Sequence, residues 1–341
     1  MISMKVISSR LPFKRVKCVA TVGVFDGIHL GHQFILRKVK EAAKKKGVAS
    51  LVITFDIPPQ RFLAKKNLTS HCRPKKAFIG AITDADDKAV LIGALGIDYL
   101  WFLKTRESLL RLSAQGFISY IQRYFKIEGL IVGRDFRFGH RGGGDLRDLK
   151  NLSSKHKFEL SIIGKKNKNK QVVSSSLIRQ FIRCGQLKEA EQFLGRSFSL
   201  KGKVFKGRGL GLQFGFPTAN IKADNYVIPM RGVYAAYVVL GRKVYLSAVN
   251  VGLRPTCARK GACARQGTFS GVIGPVIEAH ILNLKKNILG KTIKIIFLEK
   301  IREEEKFSSF EALKSAIGKD IVCLTSKYSA SQFPHPQPLV V

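Results

Sequence analysis

The stretch VATVGVFDGIHLGHQFILRKVKEAAKKKGVASLVITF, Val19 to Phe55, decides the fold of the first half of the chain. Val19 to Phe25 is an apolar run that reads as a buried strand ending in Asp26-Gly27. A helix follows with Ile35, Val39, Ala42 and Ala43 on one face and basic residues on the other, and Gly47 stops it. Val48 to Phe55 is again continuously apolar, the pattern of a parallel strand covered on both faces. Strand, helix and strand in so short a span form a βαβ unit.

The alternation continues outward. A helix is expected near Asp87 to Leu95, a strand over Tyr99 to Leu103, a helix near Ala114 to Tyr124 and a strand over Gly129 to Val132. This order predicts a doubly wound parallel α/β sheet. Ser176 to Cys184 and Leu187 to Leu194 read as two short helices joined at Gly185. After about residue 197 the texture changes to short strands between Gly, Pro and Asn: Gly202 to Phe205, Gly232 to Leu240, Lys243 to Val251, Val276 to Leu282 and Thr292 to Phe297. The one clear helix there runs from Ser308 to about Ile317. That half predicts a small antiparallel, Greek-key-like β-barrel closed by a helix. A length of 341 residues suits two such domains. The expected division is 1–185 and 186–323, with the proline-containing 324–341 as a loose tail.

Sixty Lys and Arg against 23 Asp and Glu give a net charge of +37, a surface that attracts polyanions. The basic residues are spread along the chain, so a general lysine-rich bias is the plainer reading. There is no helix-turn-helix, RRM or KH signature and no interleaving of aromatics with the basic runs, so no specific nucleic-acid partner is expected. The six cysteines form no CxxC pair and no zinc spacing; they read as isolated, mostly buried thiols of a reducing compartment. No cleavable leader and no apolar run approaching the ~20 residues of a membrane span is visible. A cytoplasmic protein without a membrane partner is expected.

Gly23 to His32 follows a strand and opens a helix, the place where doubly wound sheets bind ligands. Gly27 and Gly31 allow close backbone approach to phosphate, and the helix N-terminus adds partial positive charge. His29 and His32, three apart, share a face there and can donate hydrogen bonds to a triphosphate under attack at its α-phosphorus. Such transfer needs positioning and charge cancellation more than covalent help. The plainer alternative is two histidines that cap or pack. Downstream, Ser174, Ser175 and Ser176 begin a helix with Arg179 in its first turn, an anion site larger than the single serine a cap requires. A third block, Val132 to Asp145, is a glycine-rich loop after a strand; Asp135, Arg137 and Arg141 there are either solvated charges or ligands.

GxFDGxHxGH and a later SSSxIR are the two signatures of the HxGH nucleotidyltransferase superfamily. Their form here resembles the adenylyltransferase half of the bacterial bifunctional riboflavin kinase/FAD synthetase family. The resemblance implies that Gly23, Phe25, Asp26, Gly27, Gly31, Ser174, Ser175, Ser176 and Arg179 bind ATP phosphates, with His29 and His32 catalytic. The third block is similar to that family's VGxDFRFG segment, which implies that Asp135, Phe136, Arg137 and Arg141 shape the nucleotide and flavin pockets. One segment departs: the family's TFxPHP reads TFDIPPQ, so Ile57 replaces a proline and Pro58 a histidine.

The second constellation is GRGLGLQFGFPTANI, Gly207 to Ile221. It lacks a Walker A lysine and is not a P-loop. Gly207, Gly211 and Gly215 recur every four residues and suit a flap over phosphates. Thr218 and Asn220 lie on one face if extended and offer hard oxygen ligands for Mg²⁺. In IEAHI, Glu278 and His280 share a strand face; a strand carboxylate facing a barrel's polar mouth is a candidate base, although a solvent-facing one is commoner. The glycine series joined to PTAN resembles the riboflavin kinase ATP-binding signature, which implies ATP contacts from Gly207, Gly211, Gly215 and Pro217 and a metal held by Thr218 and Asn220. IEAHI is similar to the family's VExHxxD, which implies that Glu278 takes the proton of the ribityl 5′-hydroxyl while His280 supports it. Here LDFxxDLYGK reads LNLKKNILGK, with Asn283 and Leu289 in place of Asp and Tyr, and Ala258 to Ser270 is unusually basic and small. The resemblance covers about residues 15 to 322. It implies that riboflavin is phosphorylated to FMN and FMN adenylylated to FAD with release of pyrophosphate, both from Mg·ATP. The rivals are a chain that retains only the kinase and a basic nucleic-acid-binding protein on the same scaffold.

Overall fold

A computed structural model describes residues 4–7, 15–67, 78–207, 215–223, 225–253, 275–305 and 307–329. The chain forms two compact units, one of residues up to 178 together with 193–195, the other of 179–192 and residues from 196 onward.

The first unit is built on strands β1 (Lys5–Ile7), β2 (Val16–Val22), β3 (Ala49–Phe55), β4 (Tyr99–Leu103), β5 (Phe125–Gly133) and β6 (Glu159–Ile163). They form one sheet in the order β1-β4-β3-β2-β5-β6, with every pair parallel. Its helices are α1 (Leu30–Lys46), α2 (Pro59–Asn67), α3 (Ala85–Ala94), α4 (Glu107–Leu110), α5 (Ala114–Gln122) and α6 (Leu146–His156). Residues of α1 and α3 bury Val19, Val52, Leu100 and Ile131 on one face. Residues of α5 and α6 bury Cys18, Leu51, Trp101 and Val132 on the other. The sheet is doubly wound, as the alternation of elements predicts. A two-stranded ribbon, β7 (Asn167–Lys168) with β8 (Gln171–Val172), follows it.

β2 ends at Val22 rather than at Phe25. Phe25 and Ile28 take φ of 48° and 39°, so the backbone turns left-handed where the apolar run suggests a continuing strand. α6 escaped the sequence reading because LRDLKNLSSKH is mostly polar; only Leu149, Leu152 and Ser153 are buried, and a capping box of Asp145 with Asp148 starts the helix.

Helices α7 (Ser175–Arg183) and α8 (Leu187–Leu194) meet at Gly185, whose φ is 74°. The second unit then closes a barrel from β9 (Ser199–Phe205), β10 (Thr218–Lys222), β11 (Gly232–Leu240), β12 (Lys243–Leu253), β13 (Pro275–Ile281) and β14 (Thr292–Arg302). The order β10-β13-β12-β11-β14-β9 is antiparallel throughout and closes through β9 and β10. Within it, β14-β11-β12-β13 is a Greek key. Tyr234, Phe198 and Phe297 are fully buried aromatics of this unit, with Phe297 stacked on Phe198 and edge-on to Tyr234.

The last helix, α9, spans Phe310–Lys327, well beyond the Ile317 expected. Gly318 does not end it, because Leu324 packs against Ala235, Tyr237 and Leu246, and Asp320 holds Arg302 through two 2.8 Å bonds. Residues 324–329 are therefore not loose tail; 330–341 lie outside the described residues. The cysteine expectation also changes: Cys18 is buried, but Cys323 is half-buried and Cys184 exposed.

Glu299 of β14 joins α8 and α9 by accepting from Lys188 at 2.6 Å and Lys327 at 3.1 Å. Chiefly through the Lys188 bond, its carboxyl falls from the ordinary 4.5 to about 2. A depressed carboxylate contributes stability that is present above its ordinary pKa and is lost as pH falls toward the folded value. Between pH 5 and pH 2.5 the melting temperature of the wild type should therefore fall several degrees further than that of Glu299→Gln. Parallel profiles would show that this junction carries no linked stability.

Candidate active sites

In the sheet order, the chain runs outward from β2 through β3 and β4 on one side, then returns to place β5 and β6 on the other. The switch lies between β2 and β5, and the crevice beyond the carboxyl ends of such strands is where open α/β sheets bind ligands. Gly23 to His32 leaves β2 there and Arg134 to Asp145 leaves β5, so topology brings two separate motifs to one end of adjacent strands.

The loop after β2 is held from below. Asp26 is buried, and its carboxylate accepts from the backbone N–H of Ile82, at 2.9 and 3.1 Å, and of Thr83, at 3.1 Å. That carboxylate is committed to the protein, so it shapes the loop rather than facing a phosphate. Phe25 is also buried, with its ring edge-on to His32 at 5.2 Å. A Cβ on Gly23 would lie 3.1 Å from the Phe25 ring, and one on Gly27, whose φ is 87°, would meet Ile82 and Leu194. Gly31 leaves room for the His29 ring, which a Cβ there would approach to 3.2 Å. These glycines serve the packing of the motif itself.

The two histidines stack, ring centroids 3.6 Å apart and planes 15° from parallel. His29 caps α1: its Nδ1 accepts from the backbone N–H of His32 at 3.2 Å. An accepting Nδ1 puts the proton of neutral His29 on Nε2, which makes that atom a donor. The capping alternative and a ligand-facing role are thus compatible in one ring. Burial, the neighbouring His29 and Lys88 hold His32 well below the ordinary imidazole range, so it is neutral at physiological pH. Its Nδ1 is buried with no partner.

Lys88 of α3 was not legible as a site residue. It is buried, and its ammonium donates to the Val24 carbonyl at 2.8 Å and to Thr54 Oγ1 at 3.4 Å. Thr54 donates to the same carbonyl at 3.0 Å. A cation is thereby fixed beneath the loop that carries His29 and His32.

The three serines divide their work. Ser174 Oγ accepts from the Leu177 N–H at the start of α7, Ser175 donates to the Asp26 carbonyl at 2.9 Å, and Ser176 is exposed. Arg179 follows one turn along α7. After β5, Phe136 and Phe138 stack at 5.4 Å, Asp135 lies 3.5 Å from Lys165, and Arg137 lies 3.9 Å from Asp145. Arg141 has φ 53° in a short 3₁₀ turn. The departing segment at the end of β3 is locally well formed. The Pro58 carbonyl accepts from Arg61 and Phe62, and Pro59 occupies the first turn of α2, where a missing N–H costs nothing.

In the second unit, β10, β13 and β12 lie side by side, and register sets Asn220 opposite Glu278 and Glu278 opposite Asn250. In-register partners project to one face, so an amide, a carboxylate and an amide form a row across three strands. The flanking Ile277 and Ala279 are buried, which turns Glu278 to the outer wall of the barrel, the commoner of the two orientations that the sequence left open. Thr218 and His280 are likewise partners on that wall, with His280 Nδ1 3.0 Å from the Pro217 carbonyl and its ring 5.4 Å from Phe216. Asn220 is buried, and a Cβ on Gly207 would press on its side-chain amide. Glycine at 207 thus leaves Asn220 its place, while Gly215 takes φ 80° and Gly211 lies outside the described residues. Asn250 is the member of the row that the sequence reading passed over. Asn283 has φ 60°, a conformation asparagine tolerates as well as aspartate, and Leu289 is exposed. Ala258 to Ser270 lie outside the described residues.

Comparison with known proteins follows this division. A family profile described as FAD synthetase matches residues 12–177, and one described as riboflavin kinase matches 194–326. The bifunctional riboflavin kinase/FMN adenylyltransferase of Escherichia coli K12 is 30% identical over 305 residues, covering 89% of this chain and 90% of that protein. The chain belongs to the bifunctional riboflavin kinase/FMN adenylyltransferase family. Other members show the same span: the Listeria monocytogenes protein is 31% identical over 89% of this chain and 90% of its own length, and the Pseudomonas fluorescens protein 32% over 89% and 91%. Among solved structures, a crystal structure described as a macrolide-efflux protein from Streptococcus pneumoniae aligns with a TM-score of 0.76 at 27% identity, covering 95% of this chain and 99% of that one. Among the described residues, no helix is long and apolar enough to cross a membrane.

For Lys88, burial outweighs the attraction of Asp26, Asp56 and Asp84 and lowers the ammonium from 10.5 to about 8. Between those values the unfolded chain binds the proton that the folded chain has released, so stability rises with pH in that window. The melting temperature of the wild type should accordingly gain on that of Lys88→Met between pH 8 and pH 10. A constant difference would show that Lys88 titrates as in the unfolded chain.

Proposed function

We propose that this chain makes flavin cofactors in two ATP-dependent steps in the cytoplasm, with small molecules as its substrates. Residues 186–323 phosphorylate riboflavin to FMN, and residues 1–185 adenylylate FMN to FAD. The observation that carries the assignment is that the histidine loop and the three serines lie in one compact unit and Thr218, Asn220 and Glu278 in the other, with Glu278 fixed in register between Asn220 and Asn250 in the barrel.

In the kinase step the ribityl 5′-hydroxyl attacks the γ-phosphorus of ATP, Glu278 accepts the hydroxyl proton, and ADP leaves. Asn220 and Asn250 hold the carboxylate from either side. Gly207, Gly211, Gly215 and Pro217 cover the phosphates. Mg²⁺ bound with ATP would neutralise phosphate charge. The hydroxyl of Thr218 and the amide oxygen of Asn220 are hard donors that fit it, because Mg²⁺ takes much of its shell from phosphate and water.

In the second step a phosphate oxygen of FMN attacks the α-phosphorus of ATP and pyrophosphate leaves. His29 Nε2–H donates to phosphate oxygens as charge develops, and neutral His32 supports it without bringing a second charge into the stack. The α7 N-terminus with Ser176 and Arg179 receives the departing phosphates. Asp135, Phe136, Arg137 and Arg141 border the nucleotide and flavin. Asp26, Phe25, Gly23, Gly27, Gly31, Ser174 and Ser175 keep the loop in shape.

Glu278→Gln should abolish FMN formation from riboflavin and leave adenylylation of supplied FMN largely intact, as followed by chromatography of the flavins. Ordinary kinase turnover in that variant removes Glu278 from the mechanism. His29→Ala should lower FAD formation by about a hundredfold, the usual effect of losing one transition-state donor, with FMN formation unchanged. Because His29 also caps α1, the companion variant His29→Asn, which keeps a capping acceptor, separates the two roles. FAD formation at the wild-type rate in both variants would refute the role of the ring.

A further inference from the structure

The parallel sheet has a second edge. All six strands of that sheet start at the end opposite the crevice, and there the chain gathers exposed cations. Lys17 near the start of β2 and Lys126 near the start of β5 are register partners, both exposed. α1 ends on Lys44, Lys45 and Lys46, all exposed, and α6 ends beside Lys155 and Lys157 at the entry to β6. Lys46 reaches Glu159 at the start of β6, at 3.0 Å, which ties the end of α1 to that entry. Glu159 and Glu128, the latter 3.9 Å from Lys17, are acids of this edge and each already faces a lysine.

Stability of the fold does not account for this edge. Basic residues in a last helical turn complement the helix dipole, and that covers the ends of α1 and α6. It does not cover Lys126, which has no ion-pair partner among the described residues and lies beside Lys17, itself 3.9 Å from its one acid, Glu128. Such an arrangement suits an anion with regularly repeated charge. The exposed large apolar residues of the first unit, such as Val6, Ile57, Val90 and Ile162, lie elsewhere, so the edge offers a lipid surface no anchor. Phe125, beside Lys126, is fully buried, and the half-buried Tyr124 before it is engaged edge-on with Trp101 and Tyr120, so neither offers unpaired bases a free ring.

We infer that this edge binds the phosphodiester backbone of double-stranded nucleic acid without reading its sequence. The crevice lies at the far end of strands about 20 Å long, so the bound duplex leaves the flavin chemistry free.

The test is fluorescence-anisotropy titration of the full chain with a 20-base-pair random-sequence DNA duplex between 50 and 200 mM salt. The wild type should bind with an affinity that falls steeply with salt. The triple variant Lys17→Glu, Lys45→Glu, Lys126→Glu should bind at least about tenfold more weakly at 50 mM. Its salt slope should flatten by roughly 3, at about 0.9 for each phosphate left without its lysine. The matched triple Lys285→Glu, Lys286→Glu, Lys319→Glu in the other unit should weaken binding far less. Lys→Gln at the same edge positions repeats the test in a variant with less strain. Equal weakening by both triples would mean that net charge alone binds, and would overturn the inference. So would absence of duplex binding, or edge-dependent binding only to vesicles of phosphatidylcholine with 30% phosphatidylserine.

Discussion

The carboxylate of Asp26 is buried and accepts from the backbone N–H groups of Ile82 and Thr83. Its own carbonyl accepts from Ser175, at the start of α7. One residue therefore pins together the loop after β2, the segment before α3 and the helix that brings the serines. The loop between Phe25 and Ile28 has three consecutive or near-consecutive positive φ values, at Phe25, Gly27 and Ile28, a conformation that persists only when its surroundings over-determine it. Asp26 from one side and Lys88 from the other supply that determination. A buried carboxylate or ammonium left without such partners would cost several kcal/mol, on the order of the net stability of a domain. The geometry of His29 and His32 follows from this buried framework.

The second unit reaches the same end by different means. A closed antiparallel barrel has no free edge, so the register of its strands is fixed around the ring. Fixed register is what places Asn220, Glu278 and Asn250 in a row, and the close approach of Gly207 to Asn220 sets where the glycine segment must begin. The outer wall of the barrel is covered farther along by α9 through Leu324.

Much of this was legible in the sequence because periodicity is local. Tyr99–Leu103 and Gly232–Leu240 stand where their apolar patterns put them, and the βαβ unit differs from its pattern chiefly in a first strand that runs from Val16 to Val22. What escaped was set by distant partners. Lys88 lies within the helix expected near Asp87 to Leu95, and nothing in that segment marks it; only the Val24 carbonyl, far back in the chain, reveals its role. Asn250 did leave a signal, a polar residue set between Val249 and Val251 in a strand. α9 outran its expected end because Gly318 is a weak breaker when Leu324 and Asp320 find partners on the barrel. The motifs themselves were found by their spacing, yet Gly23, Gly31 and Gly207 turn out to accommodate the Phe25 ring, the His29 ring and the Asn220 amide within the protein.

The central claim is that two complete and chemically independent sites reside in two units of one chain. Mixing tests it most directly. Equal amounts of His29→Ala and Glu278→Gln chains, each folded, are incubated with riboflavin and Mg·ATP, and FMN and FAD are resolved by chromatography. The account predicts that the mixture makes FAD from riboflavin at a substantial fraction of the wild-type rate, while neither chain alone does so. A mixture that forms FMN but no more FAD than the His29→Ala chain alone would contradict it.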